Sequence, residues 1–152
     1  MFKAKNTIYS MNTIESLNKI TSSTKFKSMQ LSFSLTKLKV EYEKGKEVVE
    51  EERKKIIERL CEKGEDGNPK MTLQGQYNFN SKNGLKVQEE IRKLYETTVT
   101  DIHMDKITLL LDEIPEGLLS PDDMYNLMEL IDFKEPKSLP KNEKSKNIGS
   151  KK

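Results

Sequence analysis

The chain of 152 residues is predicted to be α+β: one long amphipathic helix plus shorter helices packed on a small antiparallel sheet, with a disordered basic C-terminal tail. Three observations predict this. An apolar stripe at helical spacing runs through residues 25–63 and stops at Gly64-Glu65-Asp66-Gly67-Asn68-Pro69. Short alternating or β-branched runs lie between the helical patterns. From Lys134 the composition turns to Lys, Pro, Ser and Asn, too polar to pack. The expected organisation is a single α+β domain over residues 1–133 and a Lys-rich tail over 134–152.

In chain order, Thr7-Ile8-Tyr9 reads as a short edge strand. Asn12 stands three residues before Glu15, a reciprocal capping spacing, and Ile14, Leu17 and Ile20 follow at helical intervals, so a helix over 13–21 is expected. In the long helix, Leu31, Leu35, Leu38, Tyr42, Val49, Ile56 and Leu60 share one face, with Gly45 on the same stripe. A glycine inside a helix costs about 1 kcal/mol relative to Ala, so Gly45 marks a kink or a close approach. The opposite face is rich in Lys and Glu. Gly64 suits the helix C-terminus.

Met71, Leu73, Tyr77 and Phe79 alternate with polar residues and predict a half-buried strand, with Gly75 as a bulge. Leu85, Val87, Ile91, Leu94 and Tyr95 predict a helix over 85–97, and Ile102, Met104, Ile107 and Leu109 one or two strands. Ser120-Pro121-Asp122-Asp123 is the cleanest local signal: a capping hydroxyl, a proline in the first turn, and carboxylates at the positive helix end. Met124, Leu127, Met128, Leu130, Ile131 and Phe133 extend that last helix in this reading.

Composition narrows function. Hydrophobic and charged residues each make up 34% of the chain, against about 45% apolar in ordinary globular proteins, so the core is thin. The net charge of +2 is unevenly spread. Seven Lys and two Glu make residues 134–152 +5, leaving 20 basic and 23 acidic residues, net −3, in residues 1–133. The body is therefore not a basic nucleic-acid surface, and the tail lacks aromatic residues for base stacking, so only weak non-specific contact with nucleic acid is expected. Cys61 is the single cysteine and reads as a small buried hydrophobe. No run approaches the roughly 20 apolar residues of a membrane span, and no cleaved signal is expected.

Asp101, His103 and Asp105 form the one ligand-like cluster, since alternate residues of a strand share a face. The competing reading is a solvated polar face with Ile102 and Met104 turned inward. Glu65-Asp66-Gly67-Asn68 lacks the further oxygen ligands of a calcium loop and reads as a plain turn. No phosphate-binding glycine loop, nucleophile elbow or paired-cysteine motif occurs. No catalytic residue, metal or cofactor is expected.

Three stretches, EERKKIIERLCEKGEDGNPK (51–70), EEIRKLYETTVTDIHMDKITL (89–109) and GLLSPDDMYNLMELIDF (117–133), together resemble a family of small uncharacterised proteins of tailed phages and prophages of Gram-positive bacteria. The likeness covers about residues 10–133 and lies in the order of parts, a long charged helix, a Gly-Glu-Asp-Gly turn and a capped last helix. It carries no site residues over. Together with the charged helix, the thin core and the missing chemistry, it leads to the expectation of a non-enzymatic phage protein acting through protein–protein interaction, as a virion-associated, assembly or accessory component, in the host cytoplasm or the virion. The alternative is an inhibitor of a host anti-phage defence system acting by occlusion. The expected partner is a phage or host protein, or a second copy of the chain. Tyr42, Val49 and Ile56 of the long helix, with Met124 and Met128, are the candidate interaction surface.

Overall fold

The computed structural model describes residues 1–138; the tail expected over 134–152 thus falls mostly outside the described residues. A first strand, β1 (Phe2–Lys5), leads through a 3-10 turn to α1 (Met11–Thr21) and the long α2 (Met29–Leu60). Then come α3 (Ser81–Glu96), β2 (Val99–Ile102), β3 (Ile107–Leu110), α4 (Pro121–Leu127) and β4 (Ile131–Lys134). The α+β class is as the sequence predicts. The described residues form two sheets of two strands each. β1 pairs antiparallel with β2, Phe2 opposite Ile102 and Lys5 opposite Val99. β3 pairs parallel with β4, Ile107 opposite Ile131 and Leu110 opposite Lys134, across a crossover that contains α4.

At 32 residues, α2 is about 48 Å long. Ser28 caps it, its hydroxyl accepting from the Leu31 amide at 3.2 Å. The helix therefore starts later than the apolar pattern suggests. Its stripe is buried from Leu35 to Val49 in one large core cluster with Ile8, Tyr9, Leu17, Ile20, Ile102, Leu109, Leu127 and Leu130. Residues 50–55 are exposed all round. Beyond them α3 runs antiparallel to α2: Tyr95 Oη donates to Glu50 Oε1 at 2.9 Å, and Arg59 pairs with Glu90. Leu60, Cys61 and Val87 are buried at this far end, outside the main cluster.

Several expected elements are redrawn. Residues 7–9 are not a strand but belong to the 3-10 turn Asn6–Tyr9, with the Ser10 amide donating to Thr7 O at 3.2 Å, and Tyr9 packs on Tyr42 with ring centroids 5.0 Å apart. Ser10, not Asn12, caps α1, its hydroxyl accepting from the Thr13 amide at 3.3 Å. Gly64 does not end α2, which closes at Cys61 in an extended conformation. The expected strand over 71–79 is absent. Met71 and Tyr77 meet in one isolated bridge around a turn closed by Gly75, whose amide donates to Thr72 O at 2.9 Å at φ 76°. Gly75 is thus a turn glycine and not a bulge. Asn80 caps α3 by accepting from the Asn83 amide at 2.8 Å, so that helix begins four residues earlier than its apolar pattern. Met104 lies in the turn after β2. The last helix stops at Leu127, and Ile131 and Phe133 belong to β4, because Ile131 buries against β3.

The segment between α2 and α3 is tied by a closed ring of backbone hydrogen bonds. The Glu62 amide donates to Asn78 O (2.8 Å), Asn78 to Lys70 O (3.0 Å), and Lys70 to Glu62 O (2.7 Å). The three residues are eight apart. Gly67 and Gly75, also eight apart, close the two intervening turns at φ 77° and 76°.

Candidate functional site

Asp101, His103 and Asp105 do not converge. β2 ends at Ile102, so only Asp101 lies on the strand, where it faces Lys3 of β1 at 3.9 Å. Asp105 pairs with the N-terminal ammonium at 3.5 Å. All three are exposed. Among the described residues no group of three or more His, Cys, Asp or Glu is arranged to hold a metal ion. Asp66 is consumed locally: its carboxylate accepts from the Asn68 side-chain amide at 2.9 Å and backbone amide at 3.1 Å, and these bonds hold its pKa below the ordinary value. Cys61 is buried, its thiol donating to Glu58 O.

Tyr42 and Val49 are not surface residues. Both are buried in the core, and Tyr42 Oη donates to Ile8 O at 2.9 Å. Burial, with the neighbouring Tyr9, raises the Tyr42 pKa. The long-helix stripe has found its cover within the chain. Ile56 and Met124 are half-buried, and of the five candidates Met128 alone is exposed.

The polar residue with the most partners is Asp123, which is only 6% exposed. Its Oδ1 accepts from Ser16 Oγ at 2.8 Å, both oxygens accept from Lys19 Nζ at 2.9 Å, and Oδ2 accepts from the Ser120 amide and hydroxyl at 2.9 Å. Burial opposes the charge, but Lys19, the Ser120 amide and the two hydroxyls outweigh it and hold the carboxyl well below the usual range. The Asn126 side-chain amide also donates to Ser16 Oγ at 3.3 Å. The cluster joins α1 to α4, and every acceptor position is filled by the chain itself. It is a structural lock.

The apolar surface lies elsewhere, in residues the stripe analysis passed over. Met29, Phe33 and Val40 lie on the face of α2 opposite its buried stripe, and Phe33 is 72% exposed. Leu73, at the tip of the ringed segment, is fully exposed, with Met71 and Leu85 also exposed. Phe33 falls outside the three- and four-residue spacing of Leu31, Leu35 and Leu38, and that is the sequence signal that it stands away from the buried stripe. Next to Phe33 an open groove of about 560 Å³ lies between the first turns of α2 and the segment leading into β3, lined by Leu31, Phe33, Lys37, Met104, Lys106 and Thr108 among others. Among the described residues no helix is long and apolar enough to cross a membrane.

No protein-family model, curated protein or solved structure matches the chain.

Proposed function

We propose that the chain is a non-enzymatic phage protein that works by binding another protein, as a virion-associated, assembly or accessory component. The observation that carries this is the division of labour among side chains. The buried carboxylate Asp123 is saturated by internal donors, whereas large apolar residues, Met29, Phe33 and Leu73, are held out in water on elements fixed by backbone hydrogen bonds. Exposed apolar groups on a rigid frame suit a contact surface. The phage assignment rests on the sequence resemblance. The test is crosslinking and co-purification of the full chain from infected host cells, comparing wild type with Phe33→Asp and Leu73→Asp. A phage or host protein that is captured by wild type and lost from one variant supports the reading. A chain that captures no such protein, or captures it equally in both variants, refutes it.

The alternative, occlusion of a host defence protein, draws on the charge of residues 107–133, which hold seven acidic residues and no Lys, Arg or His. Expressing the chain in hosts with restriction or CRISPR systems during phage challenge separates the two. Rescue of phage growth selects the alternative.

A further inference from the structure

We infer that Asn83 is a site of spontaneous deamidation, gated by the first turn of α3, whose modification unties α3 from the end of α2. Asn83-Gly84 is the one Asn-Gly pair in the chain. Glycine carries no Cβ to shield its own nitrogen, so it leaves the preceding asparagine side chain open to attack by that nitrogen. Packing does not demand this glycine: a Cβ on Gly84 would meet only Phe79 Cβ at 3.8 Å, an ordinary contact, and its φ is not positive. The step needs water and no other reagent. The deprotonated Gly84 nitrogen adds to Asn83 Cγ, the Cγ–Nδ2 bond breaks, and ammonia leaves with a proton taken from water. Water then opens the cyclic imide at either carbonyl. One opening gives aspartate, and the other gives isoaspartate, whose main chain runs through Cβ.

The fold sets both the rate and the consequence. Asn80 Oδ1 accepts from the Asn83 amide and Asn80 O from the Gly84 amide, each at 2.8 Å, so the attacking nitrogen is tied into the start of α3. Closing the imide needs a backbone outside the helical range, and the reaction therefore waits for this turn to open. First turns of helices open at low free energy. Asp66-Gly67 is the contrast: its carboxylate is engaged by both amides of Asn68, and it has no ammonia to expel. Asn83 Nδ2 donates to Leu60 O at 3.1 Å, one of the terminal carbonyls of α2 that the helix itself leaves unpaired. Either product puts a carboxylate there, which cannot donate and repels the carbonyl. Leu60, Cys61 and Val87 are buried at this junction outside the main cluster, so the loss falls on the junction and spares the core.

The test ages the full chain at neutral and at alkaline pH and maps its peptides by mass spectrometry. Asn83 is expected to convert to a mixture of aspartate and isoaspartate, faster at the higher pH, with Asp66 unchanged. Gly84→Ala is expected to slow the conversion at least about tenfold, as a barrier raised by 1.4 kcal/mol or so would. Asn80→Ala removes a cap worth about 1 kcal/mol and is expected to speed it about fivefold, and unfolding in guanidinium to speed it further. Amide exchange at Leu85 and Val87 is expected to quicken in the aged fraction, while Leu38 and Tyr42 stay protected. No conversion at Asn83 in the folded chain would overturn the site. Equal rates in the folded and unfolded chain, or in wild type and Asn80→Ala, would overturn the gate, and unchanged exchange at Leu85 and Val87 the untying.

Discussion

Removing the Asp123 carboxylate tests the lock between α1 and α4. Asp123→Ala deletes the returning half of the α4 capping box, the carboxylate that accepts from the Ser120 amide, worth about 1 kcal/mol, and leaves the buried Ser16 hydroxyl without its acceptor, worth a further 1–2 kcal/mol or so. The Lys19 contact adds less than about 1 kcal/mol, because the Lys19 side chain is half-exposed and screened. Together these give about 3 kcal/mol, a large share of the roughly 5–15 kcal/mol that holds a domain. Urea denaturation followed by circular dichroism measures it. Lys19→Met is expected to cost under about 1 kcal/mol in the same assay. The sign with pH follows from the lowered pKa. A carboxyl whose folded pKa lies below its unfolded value of about 3.9 stabilises the protein above that value and loses the contribution as pH falls below it. Wild type therefore loses stability from about pH 4 downward, and Asp123→Asn, with no charge to titrate, shows a flatter acid limb. An Asp123→Ala cost below about 1 kcal/mol, a cost equal to that of Lys19→Met, or an unchanged acid limb in Asp123→Asn would refute this account.

Gly45→Ala is expected to destabilise by about 1–3 kcal/mol despite the gain in helix propensity, because the new methyl overlaps the Tyr9 hydroxyl. Tyr9→Phe alone is expected to be neutral or slightly stabilising, since that hydroxyl is buried without a hydrogen-bond partner, Thr100 standing beside it out of bonding geometry. The double variant then recovers most of the Gly45→Ala loss, and thermal melts check the cycle. Val49→Ala is expected to cost about 1–3 kcal/mol and more than Ile56→Ala, because Val49 is buried and Ile56 is not; equal costs would place both on the same kind of surface. Gly75→Ala forces a side chain to φ 76°, costing about 1–2 kcal/mol, and is expected to speed amide exchange at Glu62, Lys70 and Asn78 while leaving the core amides of α2 unchanged.

How far local pattern carries is visible in the helices. Ser120-Pro121-Asp122-Asp123 was legible because a cap needs only residues within one turn, and the structure has the reciprocal bonds between Ser120 and Asp123. That the same Asp123 would be buried against Ser16 and Lys19, more than a hundred residues away, has no local signature. The alternation over 71–79 matched a strand, but alternation makes a strand only if one face finds cover, and Leu73 finds none. Ile131 and Phe133 continue the helical pattern of α4, yet pairing with β3 draws them into a strand. Tyr42 and Val49 looked like an uncovered stripe because a sequence names a helix's apolar face without naming what lies on it.

The order of amino acids alone set the α+β class, the long helix and its apolar face, the capped last helix and the charge imbalance between body and tail, since each depends on periodicity, capping or composition within a short stretch. Which faces are covered, that Tyr9 needs Gly45 to be bare, that β3 pairs parallel with β4 and keeps an outer edge, and that Phe33 and Leu73 stand in water were decided by the tertiary structure. Burial and strand pairing are relations between distant segments, and they exist only once the chain has folded.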